Sequence, residues 1–131
     1  MKGVCNDKKI SRGEIYVADL NPYQGSEQGG IRPVVILQND AGNYFSSTTI
    51  VASLTSHVGK KENLPTHVFI NSREDLEYDS IIICKQIRTI DKSRLIRCLG
   101  RLDEYEMEEV ALSVSSGCFD DSLSINVELH M

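Results

Sequence analysis

The chain has 131 residues, 40% hydrophobic and 25% charged, which suits one ordinary globular domain and excludes a collagen, a coiled coil or a disordered tail. Its net charge of −5 is unevenly spread: residues 1–102 hold 14 basic and 11 acidic side chains, and residues 103–131 hold 8 acidic and no basic ones. A mildly basic body therefore remains able to hold a phosphate backbone, and no apolar run approaches the roughly 20 residues of a membrane span.

Residues 1–11 read as a polar leader without the apolar centre of a signal peptide, so a cytoplasmic protein is expected. Glu14 to Leu20 alternates, with Ile15 and Val17 on one face, and predicts a strand. Asn21 to Gly30 is a loop built on Pro22, Gly25, Gly29 and Gly30, and Pro33 to Leu37 is a short apolar strand. Asn39 to Ser46 carries the turn formers Asn39, Asp40, Gly42 and Asn43 and reads as a second loop. Thr48 to Thr55 is a strand rich in Thr, Ile and Val, His57 to Pro65 a polar loop with Lys60 and Lys61, and Thr66 to Ile70 a further strand. Ser72 to Asp79 is a charged connection with room for one helical turn, and Ser80 to Ile90 and Leu95 to Leu102 are the last strands.

Then the period changes. Met107, Val110, Ala111, Val114 and Cys118 follow helical spacing. Asp103 can cap this helix with Glu106 three residues on, the arrangement of a capping box, and the glutamates that follow suit the positive end of its dipole. The expected domain spans residues 12–119, and residues 120–131 form an acidic tail or an added edge strand. Strands that do not alternate with helices predict a mainly β fold with a C-terminal α-helix, as a small, strongly curved sheet or barrel.

No GxSxG, HExxH, P-loop or GxGxxG is present. Cys5, Cys84, Cys98 and Cys118 form no CxxC pair, and His57, His67 and His130 add no short-spaced partner, so neither a metal nor a cofactor is expected and the cysteines read as thiols. What remains is the loop Gly25-Ser26-Glu27-Gln28-Gly29-Gly30 running into Arg32-Pro33. Pro33 biases Arg32 toward an extended backbone, which sets Arg32 at the mouth of a buried strand. A surface ion pair is its ordinary alternative role.

Four blocks give that arginine a context: Arg12-Gly13-Glu14-Ile15-Tyr16, GSEQGGIRPVVILQND at 25–40, IVASLT at 50–55 and QIRTIDKSRL at 86–95. Through them, Arg12 to about Phe119 resembles the MazF/PemK family of toxin endoribonucleases. The resemblance implies an SH3-like barrel of the CcdB/Kid type closed by a C-terminal helix, a homodimer, and metal-free cutting of single-stranded mRNA at short sequences. It implies a catalytic pair at Arg32 and Thr55. It also implies a MazE-like antitoxin whose disordered acidic region lies over the RNA groove, and growth arrest through lost translation.

The chemistry suits such a pair. When a ribose 2′-OH attacks the adjacent phosphorus, the phosphate gains charge, which a guanidinium fork is shaped to meet. Thr55 can donate to a non-bridging oxygen or orient the 2′-OH. Arginine as a residue type is a poor base, so either the site alters that or Arg32 acts by electrostatics while water moves the protons. His57, two residues past Thr55, is an alternative base. The expected products carry a 2′,3′-cyclic phosphate and a 5′-OH.

Single-stranded RNA is read by splayed, stacked and hydrogen-bonded bases. Expected substrate contacts are Ser26, Glu27 and Gln28 in the first loop, Asn39, then Ser56, Lys60 and Lys61, and Gln86 with Arg88. Amides can read base edges in two directions, though each is as readily a structural hydrogen bonder. Two rival readings remain: an SH3-like RNA-binding module without catalysis, and a gyrase-poisoning toxin of the same fold. The second uses a C-terminal Trp, and this chain has none.

Overall fold

The computed structural model describes residues 9–22, 24–25, 29–56 and 64–118. Six strands form one antiparallel sheet: β1 (Glu14–Asp19), β2 (Ile31–Ile36), β3 (Thr48–Thr55), β4 (His67–Ile70), β5 (Ser80–Asp91) and β6 (Leu95–Arg101). A short helix α1 (Asp40–Phe45) joins β2 to β3, a 3-10 turn (Lys92–Arg94) joins β5 to β6, and α2 (Glu104–Cys118) follows. The order across the sheet is β4-β5-β3-β2-β1-β6.

Bulges bend this sheet. Along β3 the partner of Ala52 is Ile87 but that of Ser53 is Ile83, so Cys84 to Gln86 are extra residues in β5. Two further shifts interrupt the pairing of β1 with β6. Such insertions kink a strand and increase its twist. Gly13, at φ +91°, donates its N–H to Ile36 O and accepts from Leu102 N, a left-handed position that favours glycine.

The expected barrel is realised as a curved but open sheet. Among the described residues no ladder joins β4 to β6. The turn Arg73–Leu76 spans the gap instead: Asp75 N donates to Leu99 O at 2.9 Å, and the Arg73 guanidinium donates to Arg101 O at 3.2 Å and to both Glu106 oxygens at 2.5 and 2.7 Å. One face of the sheet holds the main core of Ile15, Val35, Ala52, Leu54, Val68, Ile82 and Leu99, with Met107 and Val110 of α2. A smaller cluster on the other face joins Ala18, Leu20, Val34, Ile36, Val51 and Ile90.

The predicted capping box is present, with Glu106 N donating to Asp103 Oδ1 at 2.8 Å and Asp103 N to Glu106 Oε1 at 3.0 Å. One position on α2 differs: Ala111 is exposed, and Ser113 is buried near the Cys84 thiol. Asn39 to Ser46 is a helix rather than a loop, because Asn39 caps it and the buried Asn43 side chain bonds Gln38 and Thr49. The cysteines also depart from expectation, since Cys84 is a free buried thiol while Cys98 is disulfide-bonded. Among the described residues no helix is long and apolar enough to cross a membrane.

Candidate active site

The site begins with a register. β2 and β3 pair as Val34 with Ser53, Val35 with Ala52 and Ile36 with Val51. Continuing the ladder by two residues sets Arg32 opposite Thr55. Pro33 stands between and has no N–H to donate. The paired stretch ends at Val34 and Ser53, so Arg32 and Thr55 lie two positions beyond it on one face of the sheet. The face is that of Val34 and Val51, outside the main core, with the smaller apolar cluster as its floor.

Arg32 is half-buried, and its Nε–H donates to Gly29 O at 2.8 Å. The loop root behind it is tightly bonded. Leu20 N donates to Gly30 O at 2.9 Å, Gly30 N to Asn21 Oδ1 at 3.0 Å, and Asn21 N to Asp19 Oδ1 at 3.0 Å. Gly30 itself lies at φ +77°. Two arginines from other elements reach the same root. Arg88, on β5 opposite Val51, donates to Leu20 O at 2.6 Å and Pro22 O at 3.3 Å. Arg94, in the 3-10 turn, donates to Asp19 O at 3.0 Å and to Asn21 O. Arg88 and Arg94 thus hold the limb of the loop root that leaves β1, and Arg32 holds Gly29 on the other limb.

The other expected contact residues divide. Ser56 is exposed and directly follows Thr55. Gln86 is half-buried in the β5 bulge beside Ser53. Asn39 lies beyond the far end of β2, where its side-chain oxygen accepts from Gly42 N at 2.8 Å to cap α1. Within one chain it does not join the Arg32 cluster. Ser26, Glu27, Gln28, Lys60, Lys61 and the alternative base His57 lie outside the described residues. Arg94 and Asn21 were not singled out by sequence reasoning. Arg94 stands inside the 86–95 block, but a long-range bond to a loop carbonyl leaves no local signature.

A cavity of about 660 Å³ lies elsewhere, lined by Arg12, Asp40, Arg101, Asp103, Met107 and Glu108 at the start of α2. It adjoins the opposite ends of β1 and β2 and is remote from Arg32. Reading single-stranded RNA calls for an open groove rather than a closed cavity, so cavity size does not locate the chemistry here. Among the described residues no group of three or more His, Cys, Asp or Glu side chains could hold a metal ion.

Titration of neighbouring groups follows from their surroundings. Burial pushes the Cys84 thiol up to about 12, against the opposing hydrogen bond of Ser113. Burial, with the nearby Glu14 carboxylate, also raises the Tyr16 phenol. Hydrogen bonds from Ser93 hold the Asp91 carboxyl below its usual range, with a smaller contribution from Arg94. The arrangement offers cationic donors anchored at the loop root, with Arg32 and Thr55 on one face of the sheet, which suits stabilisation of a phosphate whose charge increases during reaction.

Comparison with known proteins agrees with this architecture. The family model for PemK-like, MazF-like toxins of type II toxin–antitoxin systems matches residues 11–116. The chain is 53% identical over 111 residues to a protein of Staphylococcus saprophyticus subsp. saprophyticus named Endoribonuclease MazF, covering 82% of this chain and 92% of that one. Among solved structures it is similar to MazF (Form-I) from Deinococcus radiodurans, with a TM-score of 0.70, 23% identity, and coverage of 84% of this chain and 96% of that one. It is also similar to an endoribonuclease in complex with its cognate antitoxin from a mycobacterial species, with a TM-score of 0.66, 22% identity, and coverage of 82% and 93%.

Proposed function

Since this chain belongs to the family of PemK-like, MazF-like toxins of type II toxin–antitoxin systems, we propose that it cuts single-stranded mRNA at a short recognition sequence without a metal ion, with Arg32 and Thr55 as its catalytic pair. The 2′-oxygen forms a bond to phosphorus while the bond from phosphorus to the 5′-oxygen breaks. The 2′-OH proton passes to water, and the departing 5′-oxygen takes a proton, leaving a 2′,3′-cyclic phosphate and a 5′-OH. Arg32 meets the charge that develops on the non-bridging oxygens, and Thr55 donates its hydroxyl to one of them. By analogy with a lost oxyanion-hole donor, removing such a contact costs ~2.7–4 kcal/mol of transition-state stabilisation.

The register of β2 on β3 supports this pair most directly, because carried two residues past the Val34–Ser53 pair it aligns Arg32 with Thr55. Ser56, Gln86 and Arg88 are proposed substrate contacts, together with Ser26, Glu27, Gln28, Lys60 and Lys61 on the flanking loops. Asn39 is proposed as a base reader only through a surface other than this cluster. A homodimer, a cytoplasmic site of action and an acidic MazE-like antitoxin that covers the basic end of the sheet complete the reading. That acidic partner suits the positive charge of Arg32, Arg88 and Arg94.

The test is cleavage of a long single-stranded RNA in EDTA by wild type, Arg32→Ala and Thr55→Ala, with cut sites mapped by primer extension. Discrete cuts at a repeated short sequence, lost in both variants, are expected. No cleavage by folded wild type would favour the binding module or the gyrase poison, the latter to be checked by a supercoiling assay.

A further inference from the structure

Four successive carbonyls leave β1 at the loop root, those of Asp19, Leu20, Asn21 and Pro22, and each accepts from an arginine. Arg94 takes Asp19 and Asn21, and Arg88 takes Leu20 and Pro22. The two guanidinium groups come from different elements, one from β5 and one from the turn that follows it, 66 to 75 residues away in the chain. Consecutive backbone carbonyls ordinarily bond to a neighbouring strand or to water. Here a row of them is held by side chains whose five donors lie in a rigid fork.

The grip passes onward. Asn21 uses its side-chain oxygen to hold Gly30 N, and Gly30 O receives Leu20 N, so the two limbs of the loop are tied at its root. Gly29, the next residue, accepts the Nε–H of Arg32. The turn that carries Arg94 is itself fixed: Asp91 accepts from Ser93 N at 2.9 Å, and Leu95 N donates to Lys92 O. A continuous chain of bonds thus runs from the turn after β5, through Asn21 and the Gly29-Gly30 pair, to the guanidinium of Arg32.

We propose that Arg94 is a positioning residue for the reaction: with Arg88 it clamps the carbonyl row at the root of the first loop and thereby fixes the orientation of the Arg32 guanidinium. This rests on the ribonuclease reading for its catalytic consequence, and on the geometry alone for the clamp. Arg94 does not touch the reacting atoms. It acts through the loop, and its loss changes where the Arg32 fork points rather than whether a charge is present. A misplacement of about 1 Å in a catalytic group costs about 100-fold in rate.

The test compares wild type, Arg94→Ala and Arg94→Lys as full-length proteins. The first readout needs no activity: the Arg32 Nε–H signal in side-chain nitrogen NMR, with hydrogen exchange of the Leu20 and Gly30 amides. In Arg94→Ala the Arg32 signal is expected to broaden or vanish and both amides to exchange at least about tenfold faster, while the Val35 amide inside the sheet keeps its protection. The second readout is kcat against KM on an RNA carrying the mapped cut site. A loss of about 100-fold in kcat with KM nearly unchanged is expected. Arg94→Lys should recover part of the rate, since an ammonium reaches a carbonyl as a point donor but lacks the fork.

Unchanged Leu20 and Gly30 exchange with an intact Arg32 signal would overturn the clamp. Accelerated exchange with full kcat would overturn the positioning role. A wild type that cuts no RNA would sink the ribonuclease reading alone, and the NMR contrast would still decide the clamp.

Discussion

Replacing Glu106 by glutamine removes one charge where the fold closes. The Glu106 carboxylate takes two bonds from the Arg73 guanidinium, at 2.5 and 2.7 Å, and the side chains are 11% and 7% exposed. Arg73 belongs to the turn that spans β4 and β6, so the pair fastens α2 and that turn together. Glutamine keeps the shape and can still serve the capping box. It leaves the guanidinium of Arg73 buried without its counter-charge, which costs ~3 kcal/mol, the lower end for breaking a buried pair. For a domain of this size that lowers the melting temperature by about 10 °C. Burial alone would raise the Glu106 carboxyl, but the Arg73 and Asp103 hydrogen bonds prevail and hold it below its usual range. A depressed carboxyl stabilises the fold fully above its unfolded value of ~4.3 and loses that stabilisation as pH falls through the folded value. The difference between wild type and Glu106→Gln should therefore be constant from pH 8 to about pH 5 and shrink in more acid solution. Thermal unfolding followed by circular dichroism across this range measures it. A penalty under about 1 kcal/mol at pH 7, or a gap that persists unchanged into acid, would refute the reasoning.

Other expectations concern separate parts of the molecule. Asn39→Ala should cost ~1 kcal/mol through loss of the α1 cap, and Asn39→Asp much less, as urea titration would show. Cys84 should ignore an aromatic disulfide reagent at pH 8 in the native protein and react once urea exposes it, because its thiol is buried and pushed up to about 12; rapid native labelling would contradict this. Leu54→Ala, at a position 1% exposed in the main core, should cost ~2–5 kcal/mol by the same titration.

Much of the fold was readable because it follows local chemistry. The span Thr48–Thr55 is rich in Thr, Ile and Val and forms β3 with the predicted limits, and Asp103 with Glu106 marked the start of α2. Where tertiary contacts decide, the reading failed. A six-residue helix containing Gly42 and Asn43 has weak intrinsic propensity, and α1 exists because Asn43 is buried among Gln38 and Thr49. Ala111 was expected on the buried stripe of α2 and is exposed, while Ser113 is buried near Cys84 of the β5 bulge. The bulge itself comes from pairing with β3, which a single strand's pattern does not encode.

The site was legible in part for the same reason. Arg32 stood out through Pro33 and the glycine loop, and Thr55 through resemblance, but their opposition depends on strand register. Arg88 was expected to touch substrate, and the structure engages it with Leu20 and Pro22 carbonyls. Arg94 drew no attention because its bonds span more than 70 residues of chain.

The central claim is that Arg32 and Thr55 act on one phosphate, and a double-mutant cycle on single-turnover cleavage tests it most directly. Rates for wild type, Arg32→Ala, Thr55→Val and the double variant would be measured on one RNA in EDTA, with product ends identified by mass. The account predicts losses of at least about 100-fold in each single variant, a double variant scarcely slower than the worse single, and cyclic phosphate ends throughout. Full activity in either single variant, or losses that simply multiply, would contradict it.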